Sequence, residues 1–221
     1  MYVMSVTLII TIITVIVSLA GFKSEKLISD LIFYPPAVTE NKQYYRFITC
    51  GFIHADLAHL AFNMISFYLF SNGLVEPSFI KFFGNNGKTA LLLMYVLALI
   101  VCLLPTYFKN KYNQDYRSLG ASGAVSAVVF AGLMISPLSQ IGFFVIPPII
   151  PGFIFGPLYL VASAYMEKRG GDNINHSAHI WGAIFGLIFI IIATKLYSDT
   201  DIISSFVDDV KFWFRTKFNI G

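Results

Sequence analysis

Apolar segments long enough to cross a lipid bilayer recur along this chain. A helix needs about 20 apolar residues to span the hydrocarbon core, and residues 3–22 already form such a segment. Hydrophobic residues make up 57% of the 221 residues and charged residues only 12%, whereas a soluble domain carries about 25% charged residues. The sequence therefore predicts an all-α integral membrane protein with several spans.

Six transmembrane helices are expected in residues 1–197, followed by an amphipathic tail at 198–221. After the first helix, 3–22, the segment 23–54 is too polar to span and is predicted to lie in the membrane interface. The fifth helix has prolines throughout its first half, so it should be kinked or should begin late, near Phe153. The other predicted helices are 56–72, 89–107, 122–137 and 178–195, and 73–88 is predicted to be a loop.

Charge and cysteine content exclude several classes of function. The net charge of +3 comes from loops and the tail, and no basic tract of the kind that binds a nucleic-acid backbone is present. Cys50 and Cys102 match neither metal-ligand nor redox spacing, so they are interpreted as buried thiols. We expect the lipid bilayer as a partner, and no nucleic acid, metal or cofactor.

A serine flanked by small residues, Gly120-Ala121-Ser122-Gly123, lies where a polar loop enters the fourth predicted helix. A helix start offers unpaired backbone N–H groups and the positive end of the helix dipole. Gly-x-Ser-Gly is also common where transmembrane helices pack closely. On this stretch alone, Ser122 is an N-cap, a packing residue or a nucleophile.

Polar residues inside the apolar helices are few, and each is a candidate functional residue because ionisable groups are costly in a membrane. His59 and Asn63 are four residues apart and therefore share one helix face. They either bond neighbouring helices, worth roughly 0.6 kcal/mol, or belong to a site. His54, near the helix entrance, is interpreted as structural, and His176, in a polar loop, as solvated.

A Gly-x-x-x-Gly pair, Gly182 and Gly186, lies in the sixth predicted helix and permits close helix contact. Its natural partner is the helix that begins with Ser122 and Gly123. If the two helices meet, His179 in the first turn of the sixth helix faces Ser122. A histidine with a pKa of about 6.5 can take the serine proton, so this pair would support nucleophilic acyl transfer.

An oxyanion formed in acyl transfer needs fixed hydrogen-bond donors. His59 and Asn63 offer side-chain donors on one face, and Ser122 offers its backbone N–H. No acidic residue is placed in the sequence to orient His179. The pattern therefore favours a Ser–His dyad over a triad.

Three motifs in this order resemble the rhomboid family of intramembrane serine proteases. They are His54-x4-His59-x3-Asn63, Gly120-Ala121-Ser122-Gly123 and Ala178-His179-x2-Gly182-x3-Gly186. Tyr45-Arg46 also resembles the family's aromatic–arginine pair, and Gly73-x2-Glu76 loosely resembles its Gly-x-x-x-Glu region, which is one residue longer. The resemblance covers most of the chain and implies a six-helix bundle of rhomboid type.

The resemblance implies a role for each matching residue. Ser122 would be the nucleophile and His179 the general base, while His59, Asn63 and the N–H of Ser122 would form the oxyanion hole. Gly120 and Ala121 would leave room for a substrate strand. Structural roles would fall to Arg46, His54, Glu76, Gly123, Gly182 and Gly186.

One position departs from the family pattern. Many members have a tyrosine four residues after the nucleophile, packed against the base, and this chain has Ser126 there. Another side chain must then hold the imidazole, and Trp181 and Phe185 are the candidates from the sequence.

Substrates implied by the resemblance are transmembrane proteins cut near the membrane boundary. It also implies a plasma or inner membrane location with the N-terminus inside and the active site opening outward, although the Lys and Arg count of the loops favours the reverse. Two other interpretations remain: a non-catalytic rhomboid-like protein that binds or escorts membrane proteins, and a small transporter or channel. A transporter would call for paired acids or an inverted repeat, and the sequence has neither.

Overall fold

The computed structural model describes residues 4–143 and 146–219, which fold predominantly into helices. The helices are α1 Val6–Gly21, α2 Glu25–Leu31, α3 Pro35–Asn41, α4 Arg46–Thr49, α5 Leu57–Phe70, α6 Glu76–Phe83, α7 Gly87–Val101, α8 Leu104–Asn110, α9 Ser122–Ile135, α10 Gly152–Arg169, α11 His176–Tyr197 and α12 Ile202–Phe218. Strands β1 Gln140–Phe143 and β2 Ile146–Pro151 pair antiparallel, with Gln140 opposite Pro151.

Two helical segments among the described residues are long and apolar enough to cross a membrane. They are the nearly continuous helical stretch Leu57–Asn110 and helix α11. Helices α1 and α9 are apolar as well, but they are shorter. The predicted helical fold is confirmed, and the count of six spans stays a prediction.

The predicted interfacial segment, 23–54, contains the short helices α2, α3 and α4 and a 3-10 turn at Cys50–Phe52. Arg46, the first residue of α4, is buried within it. Its guanidinium donates hydrogen bonds to the carbonyls of Ser29 and Ile32, at 2.8 and 2.7 Å. These carbonyls lie at the end of α2, where intrahelical partners run out, so Arg46 joins α2 to α4.

The prediction of a loop at 73–88 is wrong, because this region is helical. Helix α5 continues through a π-helical turn at Ser71–Val75 into α6, and a 3-10 turn leads on to α7. A Cβ atom on Gly87 would lie 2.5 Å from the carbonyl oxygen of Phe79. This glycine thus serves a close approach between α6 and α7 rather than an open loop.

Helix α1 is attached to the bundle near both ends. The carboxylate of Glu76 accepts hydrogen bonds from the backbone N–H groups of Val6 and Thr7, at 3.1 and 3.0 Å, and from the Ser5 hydroxyl at 2.6 Å. An acid at a helix N-terminus satisfies unpaired donors and complements the helix dipole. At the other end, the Ser18 hydroxyl donates to the carbonyl of Phe52 at 2.9 Å.

The contact expected between the fourth and sixth predicted helices is confirmed as a packed seam between α9 and α11. A Cβ atom on Gly182 would lie 2.0 Å from the carbonyl oxygen of Gly123, and one on Gly186 would lie 2.1 Å from that of Ala127. No side chain fits at either glycine without moving the backbones apart. The glycine pair therefore sets how closely the two helices approach.

Helix α10 starts at Gly152, after the hairpin, which confirms that the fifth predicted helix begins late. Pro151 is its N-cap and Pro157 lies within it. The tail is helical as well, since α12 occupies Ile202–Phe218. Two of its rings contact Phe153 at the start of α10, with centroid distances of 5.2 Å for Trp213 and 6.0 Å for Phe214.

Candidate active site

Ser122 is the first residue of α9. The N-cap position belongs to Ala121, and no side chain caps this helix, so the interpretation of Ser122 as an N-cap is wrong. The hydrogen bond from the N–H of Val125 to the carbonyl of Ala121, at 2.9 Å, opens the helical pattern. The N–H of Ser122 comes before this bond, at the positive end of the helix dipole.

The Ser122 hydroxyl lies 2.8 Å from Nε2 of His179. His179 is in the first turn of α11, which Asn175 caps by accepting from the N–H of Ala178 at 3.0 Å. The same amide oxygen of Asn175 accepts from the Thr106 hydroxyl at 3.1 Å. The cap fixes the start of α11, and the glycine seam fixes its distance from α9, so the serine and histidine meet.

Asn175 was missed at the sequence level, although a signal for it exists. An asparagine directly before an apolar helical run is a typical N-cap. It lies four residues before His179. The cap could have been predicted, but its bond to Thr106 on α8 could not, because it depends on packing.

His59 and Asn63 both lie on α5 beside this site. Asn63 is buried, and its amide donates one hydrogen bond to the carbonyl of His59 at 3.0 Å. A side-chain amide carries two N–H bonds, so a second donor remains on Nδ2. Asn63 also lines the cavity that contains Ser122 and His179.

The ring of His59 packs against Gly120, two residues before Ser122. Gly120 has φ +109°, and a Cβ atom there would lie 2.8 Å from Cε1 of His59. Glycine is needed both for this backbone conformation and for the approach of the imidazole. The described contact at Gly120 is thus with His59, and the passage of a substrate strand along Gly120 and Ala121 stays a prediction.

His54 connects α1 to the start of α9. The N–H of Ala121 donates to Nε2 of His54 at 3.4 Å, and Nδ1 lies 2.9 Å from the Ser18 hydroxyl. Ser18 uses its own proton for the carbonyl of Phe52, so Nδ1–H of a neutral His54 donates to Ser18. Burial, with a smaller contribution from the neighbouring His59, lowers the pKa of His54 from 6.5 to about 3.

The expectation that Trp181 or Phe185 holds the imidazole is wrong. The ring of Tyr159, on α10, stacks on the ring of His179 with a centroid distance of 6.4 Å and an interplanar angle of 19°. The Tyr159 hydroxyl lies 3.0 Å from the hydroxyl of Ser126. Trp181 is 44% exposed on the outside of the bundle.

The prediction that His176 is solvated is also wrong, since it is buried as the first residue of α11. Its Nε2 lies 3.0 Å from a carboxylate oxygen of Asp172, and its ring meets that of His179 edge to face at 5.8 Å. The hydrogen bond from His176 holds the pKa of Asp172 below its ordinary value. An acid, Asp172, is therefore near His179, with the ring of His176 between them.

A cavity of about 330 Å³ opens beside the Ser122–His179 pair. Helices α5, α9 and α10 and strand β1 form its walls. Apart from the pair, its polar lining includes Asn63, Ser66, Ser126 and Tyr159. Over residues 4–143 and 146–219, no group of three or more His, Cys, Asp or Glu side chains is placed to hold a metal ion.

Comparison with known proteins gives matches that run through this site. The family model described as the Rhomboid domain matches residues 41–196. The chain is similar to Rhomboid protease GlpG of Haemophilus influenzae, with 29% identity over 194 residues, which are 86% of this chain and 92% of that protein. It is also similar to RHOMBOID-like protein 12, mitochondrial, of Arabidopsis thaliana, with 28% identity over 149 residues, 64% of this chain and 44% of that protein.

Proposed function

The chain belongs to the Rhomboid family, and from that premise we propose that it is an intramembrane serine endopeptidase. It cleaves transmembrane proteins near the membrane boundary through a Ser–His dyad. The observation that carries this proposal is the 2.8 Å contact between the hydroxyl of Ser122 and Nε2 of His179. A serine hydroxyl becomes a strong nucleophile only when a base takes its proton.

In the first step, the Ser122 oxygen attacks the carbonyl carbon of the scissile peptide bond. Its proton passes to Nε2 of His179, which then gives it to the departing amine nitrogen. The products of this step are a free amine and an ester between Ser122 and the rest of the substrate. A water molecule then attacks the ester and gives a proton to His179. His179 passes this proton to the Ser122 oxygen as the acid product leaves, which restores the free serine.

The negative charge that develops on the carbonyl oxygen is stabilised at the start of α9. The N–H of Ser122 and the helix dipole act together there. Asn63 contributes the second N–H of its amide, and His59, which packs against Gly120, contributes a ring N–H. Removing one such donor typically lowers kcat by about 100- to 1000-fold.

The substrate enters the cavity beside the pair, whose walls are mostly apolar side chains such as Phe62, Val125 and Phe155. An unwound stretch of a transmembrane helix suits it, because its backbone can reach Ser122 while its side chains stay in apolar surroundings. In this proposal six helices span the bilayer: α1, α5, α7, α9, α10 and α11.

We place the N-terminus inside and the active site on the outer side. The contact of Ser18 with His54 puts the end of α1 at the level of Ser122, so the start of α1 lies at the opposite boundary. Tyr44 is exposed and lies in the chain between the end of α1 and His54, so a cysteine introduced there should react with a membrane-impermeant maleimide added outside intact cells. Reaction only after lysis would reverse the orientation.

The catalytic proposal is tested by labelling the purified protein with a serine-directed fluorophosphonate and mapping the modified residue by mass spectrometry. We expect the label on Ser122 and none in Ser122→Ala. His179→Ala should lower the rates of labelling and of transmembrane-substrate cleavage by about 100-fold or more. Ser136→Ala, at the far end of the same helix, is the matched control and should label like the wild type.

Unimpaired cleavage by Ser122→Ala would overturn the assignment. Stable binding of transmembrane proteins by a wild type that neither labels nor cleaves would favour the non-catalytic alternative.

A further inference from the structure

We propose that Tyr159 is the residue that positions the base, so that the placement of His179 depends on helix α10. This inference rests on the proposed function. Its evidence is the stacking of Tyr159 on His179 together with the hydrogen bond between Tyr159 and Ser126. The tyrosine thereby bridges α9, α10 and α11 at the point where the serine and histidine meet.

The contact has the geometry of a positioning device. The ring planes of Tyr159 and His179 are within 19° of parallel and their centroids are 6.4 Å apart, so the phenol lies as an offset neighbour of the imidazole and restricts rotation about its side-chain bonds. A second restraint acts on the phenol itself, because its hydroxyl meets that of Ser126 at 3.0 Å. Ser126 is buried and lies one helical turn after Ser122.

Two more rings pack against Tyr159. Phe130 on α9 lies 5.6 Å from it between centroids, and Phe155 on α10 lies 5.9 Å away. Such aromatic contacts are each worth a modest stabilisation beyond their buried area. The ring is thus held in place by contacts to α9 as well as by its own helix.

Because Tyr159 is part of α10, the position of α10 affects the placement of His179. The seam between α9 and α11 is packed backbone to backbone, with no space for a side chain at Gly182 or Gly186, whereas α10 has only three buried residues, Gly152, Gly156 and Ser163. A displacement of α10 away from the bundle would take Tyr159 away from His179 while Ser122 and His179 stay on their own helices. The cavity and the base therefore respond to the position of the same helix.

The direct test compares three variants: Tyr159→Phe, which keeps the ring, Tyr159→Leu, which removes it, and Ser126→Ala. Rates of substrate cleavage are normalised to the fraction of protein that the fluorophosphonate labels. We expect Tyr159→Leu to lower kcat by about 10- to 100-fold with a small change in KM, since a misplaced base loses orientation. Tyr159→Phe and Ser126→Ala should each lower kcat by only about 3- to 10-fold, the typical effect of one hydrogen bond.

A double-mutant cycle separates positioning from general packing. Because Tyr159→Phe and Ser126→Ala delete the same hydrogen bond, the double variant should be no slower than the slower single variant. Additive losses would show that the two hydroxyls act separately and would overturn the proposal. Tyr165→Leu, which changes an exposed tyrosine on the same helix, is the control and should retain wild-type kcat.

Measurements of thermal unfolding distinguish a role of Tyr159 in positioning the base from a role in stability alone. If Tyr159→Leu unfolds at a lower temperature but cleaves with wild-type kcat per labelled site, Tyr159 does not position the base, and the inference fails while the proposed function stands. If the wild type is not labelled at Ser122, the proposed function itself fails. The two failures are therefore distinct.

Discussion

Helices α9 and α10 border the same cavity, but they are packed very differently. Eleven of the fourteen residues of α9 are buried, whereas three of the eighteen residues of α10 are. Helix α9 carries Ser122 and lies against α11 with backbone atoms in contact, while α10 touches the site mainly through Tyr159. Ser122 and His179 thus belong to a closely packed pair of helices, and the less buried helix α10 borders them.

The difference follows from where the small residues are. In the seam, glycines of α11 meet backbone carbonyls of α9, so packing depends on the absence of a Cβ atom. On α10, a Cβ atom on Gly156 would lie 3.5 Å from the ring of Phe130, an ordinary contact distance. Close backbone packing is how membrane helices associate without a hydrophobic driving force between them, and α10 has little of it.

The largest effect on the closely packed helix pair is expected from Gly182→Ala. The new Cβ atom would lie 2.0 Å from the Gly123 carbonyl oxygen, so α11 must move away from α9 by more than an ångström. Displacement of this size should lower the labelling rate of Ser122 by about 100-fold or more, and overpacking should also lower the thermal unfolding midpoint. Gly73→Ala, with nothing within 4 Å of the added atom, is the control, and equal behaviour of the two variants would contradict a rigid seam.

A pH titration sharpens the comparison on the rigid side. His54, which supports the start of α9, has its pKa lowered by burial to about 3, whereas an unfolded histidine titrates near pH 6.5. Between these values only the unfolded chain takes up the proton, so the free energy of unfolding falls as the pH falls, by at most about 1.4 kcal/mol per pH unit. The contribution of neutral His54 to the free energy of unfolding is fully present above about pH 6.5.

Thermal unfolding midpoints in detergent at pH 7 and pH 5 measure this effect. The wild type should lose more stability between the two pH values than His54→Gln, which cannot take up the proton. An equal loss in both proteins would mean that His54 is not the neutral link between Ser18 and Ala121.

The smallest effect is expected from Gly156→Ala, the same type of change on the loosely packed helix. There is room for the methyl group beside Phe130, and alanine favours a helix over glycine by up to about 1 kcal/mol. The labelling rate of Ser122 should stay within about twofold of the wild type. A loss as large as that of Gly182→Ala would remove the distinction between the two helices.

Much of the rigid part could be predicted from the sequence. The apolar runs indicated the helices, and the spacing of Gly182 and Gly186 indicated a close helix pair. Because His179 precedes these glycines on the same helix, its contact with Ser122 followed from the packing. Each of these features is local in sequence or repeats with the helical period.

The remaining parts depend on tertiary contacts that leave no local pattern. Tyr159 is an ordinary aromatic residue in a proline-containing helix, and its partner Ser126 is 33 residues away. Its role depends on the rotation of α10 about its own axis. The spacing of apolar residues in this helix does not determine that rotation. Similarly, Gly87 was interpreted as a loop residue because a glycine that permits close packing and one that permits a turn look alike in sequence.

The attachment of α1 bears on what the smallest working unit of this protein is. The matched Rhomboid domain begins at residue 41, but Ser18 of α1 lies before that boundary and accepts the hydrogen bond that orients His54. Through His54 it reaches the backbone N–H next to Ser122. The boundary of the matched domain is therefore not the boundary of the structure that supports Ser122, because a helix that begins before residue 41 orients His54.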